Sequence, residues 1–219
     1  MSKSEFKQRL LEQFAKVGKA LSSPSRLEIL EFLAQSEKSV ENLTALTGLS
    51  FANTSQHLQQ LRHAGMVVAR KDGQRVFYSL ADESAIDLLN KLRDIAEKNL
   101  AEVDQLINSY LKVKDSLEPV EADDLLQRIK DGLVIVLDVR PPDEFAAGHV
   151  PGSINVPVKE LEKQIKKLDH KKEIVAYCRG PYCVLSYDTV AILRNKGFKA
   201  RRLKDGMPEW KRAGLPVEK

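Results

Sequence analysis

The apolar residues of this 219-residue chain change their spacing near residue 112, and that change constrains the fold more than any single motif. Up to residue 111 they recur at intervals of three and four, the period of helices with one face turned inward. Beyond residue 120 they gather into short runs, LVIVLDV, EIVAYC and ARRL, which alternate with helical stretches such as EADDLLQRIK, KELEKQIKKL and VLSYDTVAILRNKG. That order favours an open parallel α/β sheet. The length suffices for two small domains, each with its own core. We therefore expect a first domain over residues 1–111, a linker in the charged segment KVKDSLEPV at 112–120, and a second domain over 121–219. There is no internal repeat and no low-complexity segment.

The first half reads as helices with one hairpin. Phe6, Leu10, Phe14, Val17 and Leu21 share one helical face. Ser23-Pro24 supplies an N-cap and a proline at the first helical position for a second helix bearing Leu27, Leu30 and Leu33. A third helix carries Val40, Leu43 and Leu46 and stops at Gly48. A fourth begins at Ser50, turns Thr54, Leu58 and Leu61 inward, and ends at Gly65. In MVVARKDGQRVFYSL, Asp72-Gly73 predicts a hairpin turn, because both positions accept positive φ. A long helix is expected over 82–111. Its Leu89, Leu92, Ala96, Asn99, Val103, Leu106 and Tyr110 form either a heptad seam for a partner helix, with Asn99 fixing register, or an ordinary core-facing stripe.

Helices followed by a hairpin, with the third and fourth joined by a tight turn, make a mainly-α winged helix-turn-helix layout, in which the fourth helix can enter a major groove. Its outward residues Asn53, Gln56, His57 and Gln60, with Ser50 and Ser55, are amides, hydroxyls and an imidazole suited to base edges or phosphates. The hairpin offers Arg70, Lys71 and Arg75 to phosphates. Between Lys38 and Ser79 there are five Lys/Arg against two acids, Glu41 and Asp72. The net charge of +4 permits nucleic-acid binding without arguing for it.

The stretches ALSSPSRLEILEFL and LTGLSFANTSQHLQQLRHAGMVVARKDGQRVFYSL resemble the ArsR-type winged-helix repressors over residues 10–80, most specifically in Ser55, His57, Leu58 and Leu61 and the A-G that follows. The resemblance implies a homodimer, built by the first and last helices of this half, that represses by occupying palindromic double-stranded operator DNA. Metal-sensing members carry a cysteine pair at the start of the third helix, where this chain has Ser39 and Glu41, and others use histidines on the last helix, where residues 82–111 have none. No metal site is expected, since a hydroxyl and one carboxylate hold thiophilic ions poorly.

The only two cysteines lie in AYCRGPYCV, where a strand-like run delivers Cys178 into a compact loop before a helix. Loop N–H groups and the positive helix end can stabilise a thiolate there, and Arg179 adds a cation. The alternative is a small, inert buried residue at a strand end. VIVLDVRPPDEFAAGHVPGSINVPV, VAYCRGPYCVLSYDTVAILRNKGF and LKDGMPEW resemble, in that order, a rhodanese domain over residues 115–217. The resemblance implies a sulfurtransferase-type fold in which Cys178 takes sulfane sulfur as a persulfide and passes it to an acceptor. Phosphatases of this fold use C-x5-R, but Val184 stands where that arginine would be, so phosphatase chemistry is rejected. Cys183 stands where many thiosulfate-using relatives end the loop with a basic residue. It either resolves a Cys178 persulfide or packs with its sulfur turned away. Asp138 and Arg140 read as a structural ion pair, His149 as positioning the GHVPG turn, and Trp210 as core.

The combined expectation is a cytoplasmic, homodimeric DNA-binding regulator with a sulfur-handling domain and no cofactor, the competing expectations being a sulfurtransferase with an accessory winged helix and a repressor with a non-catalytic rhodanese domain. The start MSKSEFKQ lacks the apolar core of a signal peptide, and the longest apolar run, residues 133–137, is too short to span a bilayer.

Overall fold

The computed structural model describes residues 1–219 and divides into two compact units, Met1–Lys91 and Leu92–Lys219. The first contains α1 (Lys3–Leu21), α2 (Pro24–Leu33), β1 (Lys38–Ser39), α3 (Val40–Thr47), α4 (Phe51–His63), β2 (Val67–Asp72) and β3 (Arg75–Leu80). α5 (Ser84–Asn99) begins in this unit and ends in the other. The three strands form an antiparallel sheet in the order β1-β3-β2. Ile29, Leu30, Leu43, Leu58 and Leu61 are fully buried and make the core. Each helix start has its local cause. The Ser39 and Ser50 hydroxyls accept from the Asn42 and Asn53 N–H groups, and Gly48 closes α3 at φ 69°. Arg26 locks the helices together, donating to the Ala20 and Lys19 carbonyls and to Gln60 Oε1.

Two expectations need revision. The hairpin turn is Gly73-Gln74, closed by the Asp72–Arg75 pair, with Gly73 alone at positive φ. The helix expected over 82–111 breaks at Leu100, whose φ −112° and ψ 105° are extended. After the break come α6 (Ala101–Leu106) and a wide π-helical turn at Ile107–Leu111. A straight seam through Asn99 is thereby lost, and the Asn99 side-chain amide donates to the Ile95 carbonyl instead. Leu92, Ala96, Val103, Leu106 and Tyr110 now line one concavity rather than one ridge. The segment 112–120 also bonds to the rest of the second unit. Asp115, 3% exposed, accepts from Arg194 Nη1 at 2.7 Å and Arg202 Nε at 2.8 Å. Val120 exchanges backbone bonds with Arg202 and Lys204 in the manner of an added strand. A buried carboxylate between two guanidinium groups anchors the segment more firmly than its charged composition suggests.

The second unit continues with α7 (Ala122–Lys130), β4 (Val134–Asp138), α8 (Pro142–Ala146), β5 (Ile154–Asn155), α9 (Leu161–Gln164), β6 (Glu173–Tyr177), α10 (Val184–Asn195), β7 (Ala200–Arg202) and α11 (Met207–Arg212). Its sheet is wholly parallel, in the order β5-β4-β6-β7. Strand alternation divides the core in two. Ile174, Ala176 and Cys178 face a layer with Val190, Leu193 and Phe198, while Val175 and Tyr177 face Leu203, Met207 and Trp210. The strand that ends at Tyr177 thus delivers Cys178 into the α10 layer. No helix is long and apolar enough to cross a membrane.

Candidate functional site: a sulfur loop and a nucleic-acid interface

Cys178 leaves β6 with 1% of its surface exposed, and Cys183 is the N-cap residue of α10, partly buried. The two are joined as a disulfide across a Cα separation of 6.1 Å, inside the range such a bond requires. The Cys183 sulfur thus faces Cys178. Between them Arg179-Gly180-Pro181-Tyr182 forms a tight loop closed by the Cys183 N–H donating to the Gly180 carbonyl at 3.1 Å. The positive end of α10 therefore lies at Cys183 rather than at Cys178 alone.

Two elements clamp this loop. The Met207 N–H, at the start of α11, donates to the Cys178 carbonyl at 3.1 Å. Beside it, a Cβ on Gly206 would lie 2.3 Å from Arg179 C and Gly180 N, so only glycine fits there. The Arg179 guanidinium meets the fully buried Glu144 through three bonds of 2.9–3.1 Å. Its charge is committed to that carboxylate, and Arg179 acts as a strut from loop to α8. Glu209 receives the Gly206 N–H, and burial pushes its carboxyl up from the usual range.

Asp138 and Arg140 form a fully buried pair, with Arg140 Nη2 2.5 Å from Asp138 Oδ2 and donating also to the Gly148 carbonyl. Tyr177 Oη donates to the same carboxylate and accepts from the Val150 N–H, and burial raises the phenol pKa. His149 bonds the Phe145 carbonyl through Nδ1 and stacks on Phe145, which holds the GHVPG turn in place. Trp210 is core and donates to the Pro216 carbonyl. Sequence reasoning missed Glu144 and Gly206. Only the glycine left a signal, a GMP after a charged turn, and its meaning depends on a distant loop.

In the first unit, Ser50, Asn53 and Gln56 are exposed along α4, and Ser55 and His57 are half-buried. Gln60 is exposed but its oxygen is held by Arg26 at 2.6 Å, which removes it from a free outward row. His57 Nδ1 is buried without a hydrogen-bond partner, and desolvation, with the nearby Arg26 charge, lowers its pKa. On the hairpin, Arg70 bonds Glu37 at 2.7 Å and Asp72 at 3.1 Å, and these carboxylates raise its pKa further. Lys38 is buried against Ser36. Of the five local cations, Arg62, Lys71 and Arg75 remain exposed without a short carboxylate pair, so the usable basic surface is smaller than composition suggests.

Residues 23–68 match the family described as bacterial regulatory protein, arsR family, and residues 121–213 match the rhodanese-like domain. The HTH-type transcriptional regulator Rv0324 of Mycobacterium tuberculosis is 43% identical over 216 residues, covering 98% of this chain and 94% of that protein. A protein from Allochromatium vinosum named sulfurtransferase is 29% identical over 100 residues, 45% of this chain and 92% of its own length. A solution structure of the homodimeric winged helix-turn-helix DNA-binding domain of a possible ArsR-family regulator from Mycobacterium bovis is 39% identical, with a TM-score of 0.42, covering 46% of this chain and 93% of that domain. With a winged helix-turn-helix unit, a parallel rhodanese-type sheet and a near full-length relative at this identity, the chain belongs to the ArsR-family HTH-type transcriptional regulators that carry a C-terminal rhodanese-like domain.

Proposed function

We propose that the protein is a homodimeric repressor of an operator in double-stranded DNA, and that the Cys178/Cys183 pair sets its occupancy in response to sulfane sulfur. The observation that carries this reading is the placement of both cysteines in one loop, one at a strand end and one at a helix start, within bonding distance. In the reduced protein the Cys178 thiolate attacks the terminal sulfur of a polysulfide and forms Cys178–S–SH, leaving a polysulfide one atom shorter. The Cys183 thiolate then attacks Cys178 Sγ, the persulfide bond breaks, and hydrosulfide departs. The two thiols are oxidised and one sulfane sulfur is reduced to sulfide. The dimer reading is supported by α1, where Phe6, Leu10, Leu11 and Phe14 stay exposed, Phe14 at 61%, and only Ala20 and Leu21 are buried. A stripe this apolar is a surface for association. DNA contact rests on Ser50, Asn53, Ser55 and Gln56 at the start of α4 and on Lys71 and Arg75 of the hairpin. His57, Gln60 and Arg70 complete the set, with Gln60 held by Arg26 and Arg70 by Glu37 and Asp72.

The test is mass spectrometry of the intact chain after polysulfide exposure, with operator affinity measured on the same sample. Loss of two hydrogens at the cysteine pair together with a change in affinity is expected. A Cys178→Ser chain that still responds to polysulfide would eliminate the mechanism. The name of the A. vinosum relative favours a second reading, turnover as a sulfurtransferase. Sustained transfer from thiosulfate to a thiol acceptor, with no change in operator binding, would establish that reading instead.

A further inference from the structure

All strands of the parallel sheet start at one end and finish at the other, and the sulfur loop occupies the finishing end. The starting end carries an excess of positive charge. Residues 163–172, KQIKKLDHKK, and 196–199, KGFK, hold seven lysines and one acid, Asp169. Their apolar members decide which way the lysines face. Ile165, Leu168 and Phe198 are buried in one core layer, which leaves all seven lysines exposed. Two contacts join the segments into one patch. The His170 ring stacks on Phe198 with centroids 3.7 Å apart, and the Ile174 N–H donates to the Lys199 carbonyl at 2.8 Å. No carboxylate lies within ion-pairing distance of these ammonium groups. Glu173, at the patch edge, is held instead by Arg128 at 2.6 Å and Arg201 at 2.7 Å. Seven charges less one exceed the net charge of the whole chain, +4, so the rest of the molecule is net acidic. Such a concentration of one sign marks a surface for a polyanion.

We propose that this patch binds the phosphate backbone of double-stranded DNA flanking the operator, as a second contact that does not read sequence. The composition of the patch favours DNA over an acidic protein. Protein interfaces are built on aromatic, apolar and arginine anchors, and lysine is depleted in them. Within these two segments no large apolar side chain is exposed. The neighbouring arginines, Arg194 and Arg201, are committed to Asp115 and Glu173. What remains is a set of flexible point charges, which suits phosphates and supplies no base readout. The inference rests on the DNA-binding reading above. A patch tethered to a unit already on DNA meets phosphate at a high local concentration. The patch precedes β6 and Cys178 follows it, a strand of five residues or about 17 Å further on. DNA held at the patch therefore leaves the sulfur loop open to its donor.

The test uses the full-length reduced protein and its Lys166→Gln/Lys167→Gln/Lys171→Gln/Lys172→Gln variant. The probes are a random-sequence duplex and a duplex from the chain's own promoter. All four side chains are exposed, so the variant keeps its fold, which urea unfolding followed by Trp210 fluorescence verifies. Affinity is read by fluorescence anisotropy over a salt series. Each lost phosphate contact lowers the slope of log affinity against log salt by about 0.9, or about eightfold in affinity for each tenfold fall in salt. A slope lower by about 2 or more is expected for the variant on both duplexes. Lysine acetylation, read by mass spectrometry on the wild-type chain, should slow at these four positions when either duplex is bound. Unchanged slopes, or lysines acetylated equally with and without DNA, overturn the patch proposal. Protection by polyglutamate and not by either duplex overturns it in favour of an acidic protein. Lysine protection on the random duplex, by a chain with no preference for the promoter, overturns the operator reading and leaves the patch in place.

Discussion

Replacing Gly206 with alanine adds one methyl group at a place where the structure has no room for it. Its φ of −109° and ψ of −173° are open to any residue, so backbone strain is not the reason for glycine. The obstacle is position: the new carbon would lie 2.3 Å from Arg179 C and Gly180 N and 2.5 Å from the Arg179 carbonyl oxygen. An ordinary carbon contact is about 3.5–4.0 Å, so loop and α11 must part by roughly 1 Å or more. Backbone cannot rotate away as a side-chain tip can. The movement stretches the 3.1 Å bond from Met207 N–H to the Cys178 carbonyl and pulls on the Arg179–Glu144 strut. Overpacking of this kind costs about 1–3 kcal/mol. Urea unfolding of the full chain, followed by Trp210 fluorescence, should show a loss of that size. Rates of polysulfide-driven disulfide formation, read by mass spectrometry, should fall in the same variant, while operator affinity of the reduced protein stays near wild type. Unchanged stability and unchanged disulfide formation in Gly206→Ala would refute the claim that this contact holds the sulfur loop.

Asp115→Asn should destabilise the second unit by about 3–5 kcal/mol in urea unfolding, because it leaves Arg202, 8% exposed, and Arg194 without their shared carboxylate. His57 has its pKa depressed below 6.5 by burial first and by Arg26 second. The unfolded chain therefore takes up that proton first. Stability should fall as the pH drops below 6.5, and His57→Gln should flatten this part of a pH-dependent melting curve. Removing Lys71 or Arg75 should lower the slope of log affinity against log salt by about 0.9 for each phosphate no longer neutralised. Arg70→Ala should change that slope less, because Glu37 and Asp72 already hold its charge. Fluorescence anisotropy on operator DNA over a salt series distinguishes these variants.

The sequence by itself determined the two-domain grammar, the cap at Ser50, the Gly48 turn, the parallel sheet and the strand that carries Cys178 to its loop. These features are local. A period of 3.6 or a short apolar run states which face must be buried, and a hydroxyl before a helix states where the helix begins. The Asp138–Arg140 pair was legible for the same reason, since two residues of separation put both groups at one strand end. Tertiary structure alone decided the rest. Whether the stripe from Leu92 to Tyr110 made a ridge or a hollow depended on one extended residue, Leu100, which no spacing marks. Whether Arg70 and Gln60 were free depended on Glu37 and Arg26, which lie more than thirty residues away along the chain. Arg179, read as a cation for the sulfur, became a strut because Glu144 is buried opposite it. Charge and polarity are written in the residue, but whether a group keeps them for a ligand depends on which partner the fold places within about 3 Å.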